Sequence, residues 1–221
     1  MTKRALVTGA NRGVGLELCR QLADRGWSAI GACRESSAEL DALGIRVERG
    51  LDVTSEQAVA DLARRLEGVQ LDLLINNAGL LTRESLEEMD YDRIRRQFEV
   101  NAVGPLAVTV ALLPNLTRGS KVILVTSRMG SIGDNTSGGR YGYRMSKAAL
   151  NIAGVSLAHD LRPRGVAVAI LHPGFVRTGM TGFEGFIDPP EAAAGLIARV
   201  EELTLETSGG FWHQNGERLP W

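Results

Sequence analysis

Residues 4–15 read RALVTGANRGVG, and this stretch decides the fold that the sequence predicts. It begins with a short, mostly apolar run of the kind that predicts a buried β-strand. Glycines then interrupt the run, and an amphipathic stretch over residues 13–25 predicts a helix. A strand, a glycine-rich turn and a helix in this order are typical of the first unit of a sheet with parallel strands.

The same alternation continues along the chain, without an internal repeat or a linker. Strands buried on both faces and separated by helices predict an α/β protein with helices on both sides of a parallel sheet. We therefore expect residues 1–221 to form one domain, a single-domain Rossmann fold with a doubly wound sheet of about seven strands. Further strands are predicted over residues 27–33, 45–53, 71–79, 121–127 and 166–174 and within 209–221, and further helices over residues 36–43, 55–66, 91–113, 145–161 and 189–203.

Composition and charge exclude several classes of protein. The formal net charge is −1, and 44% of the residues are apolar and 23% charged, which is typical of a globular protein without an electrostatic surface for nucleic acid. No apolar run approaches a membrane span, and the strand-like N-terminus leaves no room for a signal peptide. Cys19 and Cys33 are expected to be reduced thiols of a cytoplasmic protein, and neither they nor His159 and His213 predict a metal site.

The glycine-rich turn predicts a site for a dinucleotide. Gly9, Gly13 and Gly15 would let the backbone turn tightly and approach a pyrophosphate, and the helix that follows offers free N–H groups to it. In open parallel sheets, ligands bind at the carboxyl ends of the strands, where this turn lies. The alternative is that the turn is only structural.

Two arginines indicate which dinucleotide is preferred. An acidic residue at the end of the second strand would suit the ribose of NAD, but Arg34 occupies that position. Arg12 lies within the glycine-rich turn, and two guanidinium groups near the ribose would bind a 2′-phosphate. We therefore expect NADP(H) to be preferred over NAD(H). The alternative is that both arginines are solvated surface charges.

A tyrosine and a lysine are spaced for joint action on one ligand. Tyr143 and Lys147 stand four residues apart and share one face of a predicted helix, whereas Tyr141 points elsewhere. The ammonium of Lys147 is expected to lower the pKa of the Tyr143 phenol and so to make the phenol an acid–base catalyst. Tyr141 is interpreted as a wall or packing residue, and the alternative for the pair is a chance spacing.

Six motifs stand in the order typical of one family. They are TGANRGVG at residues 8–15, NNAG at 76–79, Asn101, Ser127, YRMSK at 143–147 and HPG at 172–174. With them, the chain resembles the short-chain dehydrogenases/reductases over essentially its whole length. The segment SRMGSIGDNTSGG at residues 127–139 is similar to the subgroup that contains the sniffer carbonyl reductases and the C-factor signalling proteins.

The resemblance implies a role for each matching residue. Ser127 would hold the substrate oxygen, and Tyr143 would exchange a proton with it. Lys147 would lower the Tyr143 pKa and bind the cofactor ribose, and Asn101 would anchor a water that links Lys147 to solvent. The positions implied in cofactor binding are Gly9, Asn11, Arg12, Gly13, Val14, Gly15, Arg34, Asp52, Val53, Asn77, Ala78, Gly79, Tyr143, Lys147, Pro173, Gly174, Val176 and Thr178.

Structural roles are the alternatives for some of these residues. Asn101 could instead hydrogen-bond within a helix kink near Gly104, and Asp52 could cap the loop before Ser55. His172 precedes a proline in a loop and is expected to be structural.

The chain departs from the common family pattern around the catalytic serine. The family often has two serines where this chain has Thr126 followed by Ser127, and Ser131 is a weaker competitor for the catalytic role. The interval between Ser127 and Tyr143 is longer than in many members, because DNTSGG at residues 134–139 extends the loop. This loop is expected to line the substrate mouth.

The segment after the HPG motif predicts a lid. Residues 175–188 are short and glycine-rich and contain Met180, Phe183 and Phe186. Such loops gate many active sites, and these apolar side chains favour a substrate with a hydrophobic or aromatic body. The alternative is that they pack on the domain or on a partner subunit.

The principal hypothesis is an NADP(H)-dependent oxidoreductase that transfers hydride between the nicotinamide and a small-molecule carbonyl or alcohol. The alternative is a dinucleotide-binding signalling or sensor protein of the C-factor type with little turnover. A sugar-nucleotide epimerase ranks third, because the region after Gly174 is short for its substrate domain. The family resemblance also implies a homodimer or homotetramer, and no nucleic-acid or membrane partner is expected.

Overall fold

One sheet of seven parallel strands forms the centre of the protein. The computed structural model describes residues 2–221. The strands are β1 (Arg4–Thr8), β2 (Ser28–Ala32), β3 (Arg46–Glu48), β4 (Leu71–Asn76), β5 (Leu116–Val125), β6 (Ala167–His172) and β7 (Phe211–His213). Their order in the sheet is β3-β2-β1-β4-β5-β6-β7, which reverses between β1 and β4. This confirms the predicted doubly wound parallel sheet of about seven strands.

Helices connect successive strands and cover both faces of the sheet. Along each strand, successive residues face opposite sides, so Leu6 packs on one face while Ala5 and Val7 pack on the other. Within residues 2–221, no helix combines the length and the apolar character that are needed to cross a membrane. The helices are α1 (Gly13–Asp24), α2 (Ala38–Asp41), α3 (Glu56–Arg65), α4 (Tyr91–Phe98), α5 (Gly104–Ala111), α6 (Tyr141–Leu161) and α7 (Pro189–Glu202).

Two apolar layers hold the helices to the sheet. On one face, Leu18 and Leu22 of α1 pack with Leu196 and Val200 of α7. On the other face, helices α3, α5 and α6 contribute their buried side chains, which include Leu150 of α6. This second layer holds α6, and with it the predicted tyrosine–lysine pair, against strands β5 and β6.

The helix predicted over residues 91–113 is not one regular helix. A π-helical turn over Glu99–Val103 separates α4 from α5. Pro105 has no N–H to donate to the carbonyl group four residues earlier, so the regular α-helical pattern cannot pass this point. By contrast, the helix predicted over residues 55–66 is found as α3, and Ser55 caps it, since the Ser55 hydroxyl accepts a hydrogen bond from the N–H of Ala58 (3.2 Å).

Helix α6 lies close to the sheet because it carries glycine where the two meet. A Cβ atom on Gly154 would lie 2.6 Å from Cγ1 of Ile170 and 2.9 Å from Cδ1 of Leu124. The absence of a side chain here sets the distance between α6 and strands β5 and β6.

Replacing Gly154 by valine should therefore lower the free energy of unfolding by about 1–3 kcal/mol, because the added methyl groups overpack this contact. Urea denaturation followed by circular dichroism measures the change. Ala153→Val, on the neighbouring and less buried position of α6, serves as the control and should cost less. Equal stability of the two variants would contradict the close contact.

Candidate active site

Hydrogen bonds join the ends of β1 and β4 where the strand order reverses. The Thr8 hydroxyl accepts hydrogen bonds from the backbone N–H groups of Asn77 (3.0 Å) and Ala78 (3.1 Å). In return, the Asn77 side-chain amide donates to the backbone oxygens of Thr8 (3.0 Å) and Gly9 (3.3 Å). These bonds fix the crevice in which ligands of doubly wound sheets bind.

In the glycine-rich turn, the absence of side chains lets the backbone itself line this crevice. Gly9 has a φ of +66°, and a Cβ atom there would lie 2.9 Å from Cα of Ala78. A Cβ atom on Gly15 would collide with the carbonyl oxygen of Gly9 and with the side-chain nitrogen of Asn77. The first turn of α1 contains no acidic residue. The exposed N–H groups at this helix end therefore fit a phosphate group of a dinucleotide.

Arg12 and Arg34 are the arginines available at this end of the crevice. Both side chains are exposed, and within residues 2–221 neither forms an ion pair or a side-chain hydrogen bond. The neighbouring Arg49 already has a partner, since its guanidinium lies 2.6 Å from the Asp41 carboxylate. A 2′-phosphate would therefore meet two guanidinium groups that no carboxylate neutralises.

Asp52 and Val53 have structural contacts of their own. The Asp52 carboxylate accepts hydrogen bonds from the N–H (2.9 Å) and hydroxyl (2.7 Å) of Thr54 and lies 3.2 Å from the Arg96 guanidinium. The hydrogen bond from the Thr54 N–H is the main reason that its pKa is lowered. Val53 packs against Gly104, where a Cβ atom would lie 2.8 Å from a Val53 methyl group. These contacts agree with the loop-capping alternative for Asp52, and its implied role in cofactor binding stays a prediction.

Tyr143 and Lys147 meet at the carboxyl end of β5, on one face of α6. The Lys147 ammonium is buried, donates a hydrogen bond to the carbonyl oxygen of Val125 (2.8 Å) and lies 5.8 Å from the centre of the Tyr143 ring. Ser127 follows β5, and its hydroxyl accepts a hydrogen bond from the N–H of Met129 (3.1 Å). Ser127 also lies close enough to the Tyr143 phenol to act on its pKa, which it lowers.

Burial dominates the electrostatics of this pair. It raises the pKa of Tyr143 to about 12, against the opposing effects of Ser127 and of the Arg140 charge. Burial also lowers the pKa of Lys147 to about 7. The expectation of a lowered Tyr143 pKa is therefore wrong for the protein alone, because the cost of removing the phenolate from water outweighs the groups that lower this pKa.

Asn101 joins three elements from the π-helical turn. Its side-chain oxygen accepts a hydrogen bond from the N–H of Leu80 (2.7 Å), and its amide donates to the Leu80 carbonyl (2.7 Å) and to the Ser146 hydroxyl (3.0 Å). The side chain is fully buried. These bonds place Asn101 beside α6 one residue before Lys147, and a water-anchoring role stays a prediction.

A family model described as short chain dehydrogenase matches residues 3–185 of the sequence. The chain belongs to the short-chain dehydrogenase family. The family assignment confirms the resemblance that the six motifs indicate, and it makes the chain an oxidoreductase.

Two relatives of this short-chain dehydrogenase are named as an enzyme and as a signal, which are the two principal functional classes considered in the sequence analysis. The 1-hydroxy-2-glutathionyl-2-methyl-3-butene dehydrogenase of Rhodococcus sp. is 50% identical over 222 residues, which cover 98% of each chain. The C-signal of Myxococcus xanthus is 46% identical over 154 residues, which cover 68% of this chain and 93% of the relative.

Solved carbonyl reductases share the fold. The carbonyl reductase Sniffer of D. melanogaster superposes with a TM-score of 0.93 at 29% identity and with full coverage of both chains. The NADPH-bound carbonyl reductase from chicken fatty liver superposes with a TM-score of 0.89 at 28% identity, over 100% of this chain and 99% of that one.

Of the three hydroxyl residues near the end of β5, Ser127 is the one that acts on the pKa of Tyr143. The buried Thr126 hydroxyl donates a hydrogen bond to the side-chain oxygen of Asn151 (2.7 Å). The buried Ser131 hydroxyl accepts a hydrogen bond from the N–H of Asp134 (3.1 Å) and so braces the loop. These contacts favour Ser127 as the catalytic serine of this dehydrogenase and give the other two structural roles.

The predicted lid crosses the crevice. Thr178 approaches Gly13, where a Cβ atom would lie 3.3 Å from the Thr178 methyl group, and the Met180 methyl group would lie 3.6 Å from a Cβ atom on Gly79. The Arg177 side chain pairs with Asp188 at 2.7 Å. Further along the lid, two phenylalanines at positions 183 and 186 are strongly exposed.

His172 lies near Lys147, and its surroundings disfavour a protonated imidazole. Its ring packs edge-on against His213 with 5.0 Å between centroids, and its buried Nδ1 atom has no hydrogen-bond partner within residues 2–221. Burial is the main cause that lowers its pKa to about 3, with further contributions from His213, Arg128 and Lys147. These contacts fit the structural role expected for it. Within the described residues, no group of three or more His, Cys, Asp or Glu side chains could hold a metal ion.

Sequence reasoning missed Arg140. This residue directly precedes α6 in a left-handed conformation with φ 50° and ψ 46°, and its charge acts on Tyr143. The available signal was the concentration of positive charge around the tyrosine, at Arg140, Arg144 and Lys147.

The depressed pKa of Lys147 makes the stability of the protein depend on pH. Between about pH 7 and the ordinary lysine value of 10.5, the unfolded chain binds a proton that the native chain does not, so rising pH stabilises the native state. Lys147→Met removes this contribution. The variant should be more stable than the wild type at pH 6, and the difference in unfolding free energy should shrink as the pH approaches 10.

Urea unfolding at pH 6, 8 and 10 measures this difference. Lys3→Met, which removes an exposed ammonium next to Trp27, is the matched control and should show no such trend. A difference that is independent of pH would contradict the buried, depressed state of Lys147.

Proposed function

We propose that residues 1–221 act as one dinucleotide-binding catalytic domain, an NADP(H)-dependent reductase of carbonyl compounds or dehydrogenase of the corresponding alcohols. The observation that carries the proposal is the convergence of Ser127, Tyr143 and Lys147 at one end of a crevice whose other end is lined by glycines and two free arginines.

In this proposal the chain's own residues handle the oxygen and the proton. The bound nicotinamide supplies or accepts the hydride. The Ser127 hydroxyl orients the substrate oxygen towards the Tyr143 phenol. A raised pKa keeps that phenol protonated at neutral pH, so it is ready to donate its proton to a developing alkoxide. Lys147, with a pKa near 7, can take part in returning a proton to the phenol afterwards.

A preference for NADP(H) over NAD(H) rests on Arg12 and Arg34 and on the solved relatives that are NADPH- or NADP-bound. An exposed guanidinium without a carboxylate partner is a suitable group for a 2′-phosphate. The proposed cofactor site comprises Gly9, Asn11, Arg12, Gly13, Val14, Gly15, Arg34, Asp52, Val53, Asn77, Ala78, Gly79, Tyr143, Lys147, Pro173, Gly174, Val176 and Thr178, with Asn101 and Ser127 completing the catalytic centre.

The lid supports a substrate with an apolar body. Phe183 and Phe186 are 74% and 83% exposed, and Met180 faces the crevice near Gly79. The Rhodococcus relative is named for a hydroxylated, glutathione-bearing butene, so a hydroxy thioether of this kind is a candidate alcohol for the present enzyme.

The C-signal relative makes a signalling function the alternative to the proposed enzyme. A dinucleotide sensor would need the crevice and the arginines, but it would not need a serine near a partly buried tyrosine and a buried lysine. The proximity of Ser127, Tyr143 and Lys147 therefore favours the enzyme.

Further proposals concern assembly and location. Val103, Leu106 and Val110 around α5 and Met145 and Ile152 on α6 are apolar and exposed, which supports a homodimer or homotetramer packed through these helices. We also propose a cytoplasmic location, because both cysteines are buried free thiols.

The test of the proposed function compares the wild type with Tyr143→Phe in NADPH oxidation with aromatic aldehydes and ketones. Loss of a general acid should lower kcat by about 100-fold or more, while NADPH binding, followed by its fluorescence, should persist. Tyr141→Phe removes the same hydroxyl two residues away and should retain most of the activity. NADPH binding without turnover in all three proteins would instead favour the sensor.

Arg34→Ala tests the cofactor preference. Loss of a charged contact with the 2′-phosphate should raise the KM for NADPH by about 10- to 100-fold and leave the KM for NADH nearly unchanged. Arg49→Ala, at a neighbouring arginine that is already paired with Asp41, is the control. An equal effect of Arg34→Ala on both cofactors would contradict the assignment.

A further inference from the structure

Arg140 directly precedes the turn of α6 that carries Tyr143, and it has no assigned role. It is one of two non-glycine residues with positive φ among residues 2–221. Its backbone N–H donates a hydrogen bond to the carbonyl oxygen of Glu84 (3.1 Å), which fixes the residue just before α6 begins. Its partly buried side chain forms no ion pair or hydrogen bond within the described residues. A non-glycine residue in this conformation costs about 1 kcal/mol or more, and such residues cluster at functional sites.

Arg144, one helical turn further along, holds the loop that leads to Arg140. Its guanidinium donates hydrogen bonds to the carbonyl oxygens of Gly138 (3.1 Å) and Gly139 (3.2 Å) and to the hydroxyl of Ser137 (2.8 Å). All of these acceptors are neutral, so the positive charge of Arg144 is not compensated. Arg144 therefore positions the loop and at the same time adds to the positive potential beside Arg140.

The acidic groups in this region have other partners. Asp134, the one acidic residue between Ser127 and Lys147, pairs with Arg128 at 3.0 Å. The buried Glu84 carboxylate is bound by the neutral side-chain amide of Gln97 at 3.3 Å and forms no ion pair with either arginine. One carboxylate against the guanidinium groups of Arg140 and Arg144 thus leaves a net positive charge in this region.

The effects on neighbouring groups show that the two arginines and the tyrosine lie close together. The Arg140 charge lowers the pKa of Tyr143, although burial outweighs it. The same charge also lowers the pKa of Arg144, after burial as the larger cause. Two guanidinium groups that repel each other beside a substrate oxygen site form an environment in which an anion is stabilised.

We propose that Arg140 is a substrate-binding residue that recognises an anionic group, so that the preferred substrate is a carbonyl compound or alcohol that also carries a carboxylate. The proposal rests on the proposed function and names the substrate class of that same site. The apolar lid contacts the body of such a molecule, and Arg140 binds its charged end by a charge-assisted hydrogen bond.

Matched substrates that differ in charge test this assignment. The probes are 3- and 4-formylbenzoate and their methyl esters, each reduced with NADPH by the wild type, Arg140→Met, Arg140→Lys and Arg118→Met. Arg118 lies at the amino-terminal end of β5, at the opposite edge of the sheet, and controls for the loss of one positive charge. The measured quantity is the ratio of kcat/KM for the acid to kcat/KM for its ester.

We expect the wild type to favour at least one acid over its ester, and Arg140→Met to lower that ratio by about tenfold or more. Arg140→Lys should keep part of the preference, and Arg118→Met should keep nearly all of it. If Arg140→Met leaves this ratio unchanged, the proposal is overturned. This holds even if the variant shifts the pH dependence of kcat, because Arg140 would then act only on the pKa of Tyr143.

Failure of the proposed function would give a different result. If no aldehyde is reduced although NADPH binds, calorimetric titration of 4-hydroxybenzoate into the protein with bound NADP⁺ measures the anion site directly. Binding that is at least about tenfold weaker in Arg140→Met than in Arg118→Met supports the anion site without turnover. Absent binding, or equal binding to both variants, overturns it.

Discussion

The buried ammonium of Lys147, bonded to the carbonyl oxygen of Val125, is the contact on which the catalytic centre depends. It joins the second turn of α6 to the end of β5 at 2.8 Å and requires the backbone after β5 to pass very close to the helix. Gly130 makes this possible, since a Cβ atom there would lie 2.7 Å from the backbone carbon of Lys147. The bond between Thr126 and Asn151 secures the same junction one turn further along α6.

Burial of this lysine also determines the protonation of the centre. Burial makes a charge costly at both groups, so the pKa of Tyr143 is raised and that of Lys147 is lowered. At neutral pH the protein alone therefore favours a protonated phenol, which is the state that a carbonyl reduction needs. A cationic ligand placed against the phenol would lower its pKa again and favour the reverse direction.

Local patterns were enough to predict the sheet, the cap at Ser55 and the shared helix face of Tyr143 and Lys147, because these depend on periodicity and on short spacings. The catalytic roles of that pair stay a prediction. The pairing of Asp52 with Arg96 joins distant segments, which no local pattern reveals. The sign of the Tyr143 pKa shift was missed for a similar reason, since the degree of burial is a property of the whole fold.

Backbone strain is located where the substrate would enter. Within residues 2–221, the non-glycine residues with positive φ are Arg140, at the start of α6, and Phe183, on the lid. Glycine would adopt either conformation at lower cost, so neither position is occupied by the residue that its backbone favours. One side chain is cationic, and the other is aromatic and 74% exposed. A substrate that is charged at one end and apolar at the other would give each of these side chains the partner that the protein alone does not provide.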